Sequence, residues 1–124
     1  MRKLILTIAT VIFMFGVLHI VVTPITYQGY TIDDLWFASF GLALIFLAFI
    51  NYVLMSIKQR QTKVFVVCHA ANMLCTILVS LLLTFALAPH IIILFVLLVL
   101  ETLLVIRFQF SSNLITVNPK IREL

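Results

Sequence analysis

Four strongly polar residues stand inside long apolar runs of this sequence: Asn51, His69, Asn72 and Glu101. A carboxyl group and an imidazole held close together in a low-dielectric setting can pass a proton between them. Two carboxamides can orient such a pair. Ionisable residues inside apolar spans are costly to insert, so by default they mark functional positions. The expected role is a set of interhelical hydrogen bonds that fixes packing, each worth about 0.6 kcal/mol on average in membranes. The alternatives are proton handling or ligand binding, with Glu101 as proton carrier, His69 as its partner, and Asn51 and Asn72 orienting both, or contacts to another subunit.

Spacing puts these groups near one depth. Glu101 lies six residues before Arg107, His69 six after Lys63, and Asn51 seven before Lys58. On helices each is then roughly 9–11 Å from the basic end of its run. Asn72 falls about one turn further on, along the side of His69, and Thr10 offers a hydroxyl near the same level. A second pattern crosses the third run: Cys68, Asn72, Thr76, Ser80 and Thr84 recur every fourth residue. The second run has a weaker small-residue face from Ala38, Gly41, Ala48 and Asn51. Small-residue faces let helices approach closely, and hydroxyls can bond across them. The expected role of the Cys68–Thr84 stripe is a packing seam. The functional alternative is one wall of a narrow polar path.

A different group of residues gathers at the opposite end of the runs. His19 and His90, with Asp33 and Asp34, form a weak donor set for a divalent metal such as zinc. No HxxxH or CxxC spacing enforces it. Asp34 is accounted for by a capping box, Thr31-Ile-Asp-Asp34, and His90 by an interfacial turn. Haem would need two axial imidazoles at one depth, and His69 has no counterpart at its level. No metal or cofactor is expected. Cys68 and Cys75, seven residues apart in one run, cannot pair with each other while that run is helical.

The elements that carry these residues follow from composition. Of 124 residues, 65% are hydrophobic and 10% are charged. Soluble domains are about 45–50% apolar and about 25% charged, and a short chain cannot bury such a surplus. Soluble enzymes, disordered chains and nucleic-acid-binding domains are thereby excluded. Four runs reach the length of about 20 residues that a spanning helix needs: residues 4–22, 35–57, 64–87 and 91–108. They are too long and continuous for barrel strands. The expected fold is all-α, a single integral membrane four-helix domain over 1–108. Thr23-Pro24 is expected to stop the first helix, and Pro89 to start the fourth. Residues 109–124 are expected to form an irregular polar tail.

The connections 58–62 and 88–90 are short, which implies antiparallel neighbours and an up-down-up-down bundle. All eight basic residues fall on one side: Arg2 and Lys3, then Lys58, Arg60 and Lys63, then Arg107, Lys120 and Arg122. Asp33 and Asp34 fall on the other. The positive-inside rule then places both termini in the cytoplasm. Tyr27, Tyr30 and Trp36 suit one membrane interface and Tyr52 the other. The first run is read as a retained span, since its apolar stretch exceeds a signal peptide's and no A-x-A-like site follows it.

In length and span count the chain is similar to the small multidrug resistance transporters, which work as dimers around a membrane carboxylate. That family carries its glutamate in the first span; here the first span has no acid, and Glu101 lies in the fourth. No Ser/His/Asp order, nucleotide loop or catalytic carboxylate pair is present, and the aqueous segments are short. The expected function is therefore non-enzymatic: a small accessory, assembly or interaction protein of the bilayer, in a bacterial cytoplasmic (inner) membrane. Its expected partners are lipid and either a second copy or another membrane protein, with no nucleic acid. The alternative is a small oligomeric proton-coupled or solute transporter built on the Glu/His/Asn cluster.

Overall fold

The computed structural model describes residues 1–27, 31–57 and 61–117. Gly29, Tyr30, Lys58, Arg60 and the segment 118–124 with Lys120 and Arg122 lie outside the described residues, as does the side chain of Tyr27. Four helices follow in order: α1 (Arg2–Tyr27), α2 (Ile32–Ser56), α3 (Thr62–Phe85) and α4 (Pro89–Val117). No strand occurs among the described residues. All four helices are long and apolar enough to cross a membrane. That form suits hydrocarbon, because a helix satisfies its backbone groups within itself.

Local chemistry sets the helix ends. Thr31 caps α2: its hydroxyl accepts from the Asp34 amide at 3.3 Å, and the Asp34 carboxylate accepts from the Thr31 amide at 2.7 Å. Pro89 opens α4, where its missing N–H costs nothing. Ala86–Ala88 alone joins α3 to α4, flanked by Phe85 and followed directly by Pro89. Two boundaries differ from the expectation. Helix α1 does not stop at Pro24 but continues to Tyr27. The proline removes one backbone donor, yet Thr23 Oγ1 donates to the His19 carbonyl at 2.6 Å and knits that turn together. Helix α4 does not end near Phe108 but runs to Val117. Nothing between Gln109 and Val117 breaks a helix, and Phe108 stacks on Phe65 of α3 with ring centroids 6.4 Å apart.

Each helix buries one seam with alternating steps of three and four, α3 with one step of seven between Asn72 and Val79. On α1 it is Ile5, Ala9, Ile12, Gly16, His19 and Thr23; on α2 it is Gly41, Leu44, Ala48, Asn51 and Met55. On α3 it is Phe65, Cys68, Asn72 and Val79, and on α4 it is Leu94, Leu98, Glu101 and Val105. This is the 3.5-residue period of knobs-into-holes packing. Each helix touches two others, α1 against α2 and α4, α3 against α4 and α2, so the four close into a ring.

The α1–α2 contact is the most extensive, and two glycines explain it. A Cβ built on Gly16 or on Gly41 would stand 2.6 Å from the other's carbonyl oxygen. The backbones therefore touch directly at this crossing, as small-residue interfaces allow. On one side Phe13 meets Phe49 at 5.8 Å, and on the other His19 stacks on Phe37 at 4.7 Å. Residue numbers thus rise along α1 as they fall along α2. Inside the ring the apolar core forms two clusters. One gathers Ile8, Ile12, Leu44, Leu47, Val79 and Leu98; the other gathers Ile5, Leu54, Met55, Phe65, Cys68 and Val105.

Candidate functional site

The polar seam residues fall between the two apolar clusters. On α2, Asn51 lies between Leu47 and Leu54; on α3, Asn72 lies between Val79 and Cys68; on α4, Glu101 and Thr102 lie between Leu98 and Val105. Asn51, Asn72 and Glu101 are each 0% exposed. A polar layer therefore divides the core.

The two carboxamides form a reciprocal pair. Asn51 Nδ2 donates to Asn72 Oδ1 at 3.1 Å, and Asn72 Nδ2 donates to Asn51 Oδ1 at 2.8 Å. Asn72 Nδ2 also donates to the Cys68 carbonyl at 2.9 Å. Each side chain supplies one donor and one acceptor to the other, so the pair is self-contained in a place where water cannot compete. Cys68 Sγ adds a weaker contact, donating to the Ile50 carbonyl at 3.7 Å. One turn along α3, the Thr76 and Thr102 hydroxyls meet at 3.4 Å while each donates to its own helix, to Asn72 and Leu98 respectively.

Glu101 is different. Neither of its carboxyl oxygens has a hydrogen-bond partner, although both are buried. Buried polar side-chain atoms are usually paired, so this exception asks for an explanation.

The structure does not join Glu101 to His69. His69 Nε2 bonds instead to the side-chain oxygen of Gln109, and its Nδ1 is buried without a partner. Gln109 lies eight residues beyond Glu101 on α4, which is about 12 Å along the axis. The expectation of one shared depth took Arg107 as the end of the membrane part of α4; the helix runs on past it, so α3 and α4 pair in a different register. Thr10 is also outside the layer. It is exposed, and its hydroxyl donates to the Leu6 carbonyl at 2.8 Å. Along the α3 stripe, Cys68 and Asn72 are buried and Thr76 is half-buried, while Ser80 and Thr84 are exposed. The Thr84 hydroxyl turns back to the Leu81 carbonyl at 2.7 Å.

His19 and His90 do come together, with ring centroids 6.4 Å apart. His19 is buried and its Nδ1 bonds to the Phe15 carbonyl at 2.9 Å. Both rings line a cavity of about 590 Å³, with Asp33, Trp36, Phe37 and Phe40 on its α2 side. No group of three or more His, Cys, Asp or Glu side chains placed to hold a metal ion occurs among the described residues.

Three positions escaped the sequence reading. Gln109 lies in the expected tail, Thr102 beside the more conspicuous Glu101, and Gly16 more than a turn away from the other small residues of its run, Thr7, Ala9 and Thr10. The 3.5-residue seam that unites Gly16 with His19 was the available clue. Comparison with protein-family models, with curated proteins and with solved structures gives no match to this chain.

Proposed function

We propose that this chain is a small membrane protein of accessory, assembly or interaction type, without a catalytic site of its own. In this reading its four helices run up-down-up-down in a bacterial cytoplasmic membrane, with both termini in the cytoplasm. The basic residues at one end and Asp33 and Asp34 at the other support that orientation. One observation carries the functional reading: Asn51, Asn72 and Glu101 are fully buried between two apolar clusters. A transport path needs such groups to face a hydrated opening. A buried polar layer instead selects one arrangement of four similar apolar helices. The outward faces, rich in Leu, Ile, Val and Phe, meet lipid and either a second copy or another membrane protein.

The second reading is a small oligomeric transporter coupled to protons or a solute. One observation favours it, the pair of unpartnered Glu101 oxygens. Purification from native membranes in a mild detergent separates the two. A stoichiometric heterologous partner, or a homo-oligomer insensitive to solutes and pH, supports the accessory reading. The Glu101→Gln variant sharpens the choice: unchanged assembly and phenotype sink the proton-carrier role, whereas a folded, assembled but inactive variant supports it.

A further inference from the structure

The cavity lined by His19, Asp33, Trp36, Phe37, Phe40 and His90 takes no part in the polar layer, and it is built unlike the rest of the bundle. Its volume of about 590 Å³ lies within the roughly 300–1,000 Å³ range of small-molecule pockets. Its walls are mostly apolar and aromatic, so it accepts a body that would otherwise dissolve in lipid. Its polar groups are few, namely His19, Asp33, Ser39 and His90, and of these His19 is firmly held. Stacking on Phe37 at 4.7 Å and edge contact with Phe40 at 5.5 Å clamp the His19 ring.

The hydrogen bond of His19 also fixes which nitrogen does what. The Phe15 carbonyl can only accept, so Nδ1 carries the hydrogen. In the neutral ring Nε2 is then a bare acceptor. His90, 6.4 Å away by ring centroids, adds a second imidazole to the same wall. No Lys or Arg lines the cavity, which disfavours an anionic headgroup. An apolar lining that carries Trp36, Phe37 and Phe40 beside an accepting nitrogen suits a flat ring that bears a hydroxyl donor.

We propose that this cavity binds a membrane-dissolved hydroquinone, its ring against the aromatic wall and a hydroxyl donating to His19 Nε2. The oxidised quinone lacks that hydroxyl and binds less well. The proposal goes beyond the accessory reading and is independent of what Glu101 does.

Trp36 lines the cavity and is the one tryptophan of the chain, so its fluorescence reports the site directly. The full chain in phosphatidylcholine nanodiscs is titrated with decylubiquinol under argon, and separately with decylubiquinone. Expected is saturable quenching by the quinol, with the quinone bound at least about five-fold more weakly, the worth of one hydrogen bond. His19→Phe, which keeps a flat ring, brings the quinol down to the quinone's affinity. Ala43→Phe fills the cavity from α2 and abolishes saturation for both ligands. Linear quenching that only tracks ligand dissolved in lipid overturns the proposal. So do equal affinities for quinol and quinone in the unmodified chain, an outcome that needs no variant to fold. Saturable quenching that survives in a folded Ala43→Phe protein overturns it too.

Discussion

Replacing Gly41 by alanine tests the close α1–α2 crossing. The new Cβ would stand 2.6 Å from the Gly16 carbonyl oxygen, 2.8 Å from His19 Cβ and 3.2 Å from Ile20 Cγ1. Close carbon–oxygen contacts across packed backbones settle near 3.3–3.6 Å. The helices must therefore separate by about 0.7 Å, or His19 and the Gly16 backbone must give way. A gap of that size forfeits about a quarter to a half of each dispersion contact across the crossing, and overpacking typically costs about 1–3 kcal/mol. Alanine recovers about 1 kcal/mol through its better helix propensity. The net for Gly41→Ala is a loss of about 0–2 kcal/mol. Gly16→Ala meets the Gly41 carbonyl at 2.6 Å and Ile45 Cγ1 at 2.8 Å, so it should lose a similar amount. The informative quantity is the double variant. Once the helices have moved apart for one methyl, the second enters the same gap, while its propensity gain is kept. The double variant should then be more stable than the summed singles by about 1–3 kcal/mol, the signature of coupled neighbours. Unfolding of purified protein in mixed micelles with increasing SDS measures all three, with exposed Leu42→Ala as reference. Additivity within about 0.5 kcal/mol, or stabilisation by Gly41→Ala alone at the full propensity gain, would refute direct backbone contact at this crossing.

Three further outcomes are expected. Asn51→Leu or Asn72→Leu alone leaves one buried carboxamide without its partner and should cost about 1–3 kcal/mol, whereas the double Leu variant should be close to neutral; the same SDS titration reads the difference, and two additive losses would show that the amides do not act as a pair. Cys75, half-buried, should react with a small maleimide in detergent before Cys68, which is 0% exposed; in Cys75→Ser, labelling should appear only on SDS unfolding, and prompt modification of Cys68 would contradict its placement. Reporter fusions that are active only in the cytoplasm should be active at both ends of the chain, and activity at one end alone would overturn the orientation argued from the basic residues.

The helices themselves were plain in the sequence because each apolar run is long and bounded by charge, proline or a capping box. The Thr31–Asp34 box and the helix-starting Pro89 appear where local chemistry put them. Which face of each helix points inward was far harder to read. In a water-soluble bundle, polar residues mark the outside; here Leu and Phe face both lipid and core, so the contrast that reveals a seam is missing. The Asn51–Asn72 pair was legible as two expensive residues, although their reciprocal bonding was not. Glu101 does not meet His69 because α4 carries on for ten residues beyond Arg107, and Gln109 rather than Glu101 reaches the His69 ring. The cavity was invisible because its walls are aromatic residues that, taken one at a time, look like ordinary membrane filling.

The link between α3 and α4 decides how reachable its end of the bundle is. Phe85 and Leu87, on either side of Ala86, are 89% and 81% exposed, and no charged residue lies between Lys63 and Glu101. Two such side chains do not rest comfortably in water, and in a bilayer they favour a turn seated among lipid headgroups rather than above them. Antibodies, proteases and soluble modifying enzymes approaching from that side should find nothing of this link to hold. An epitope tag inserted there would have to drag the turn out of the membrane, making it one of the poorest places in the molecule for a label.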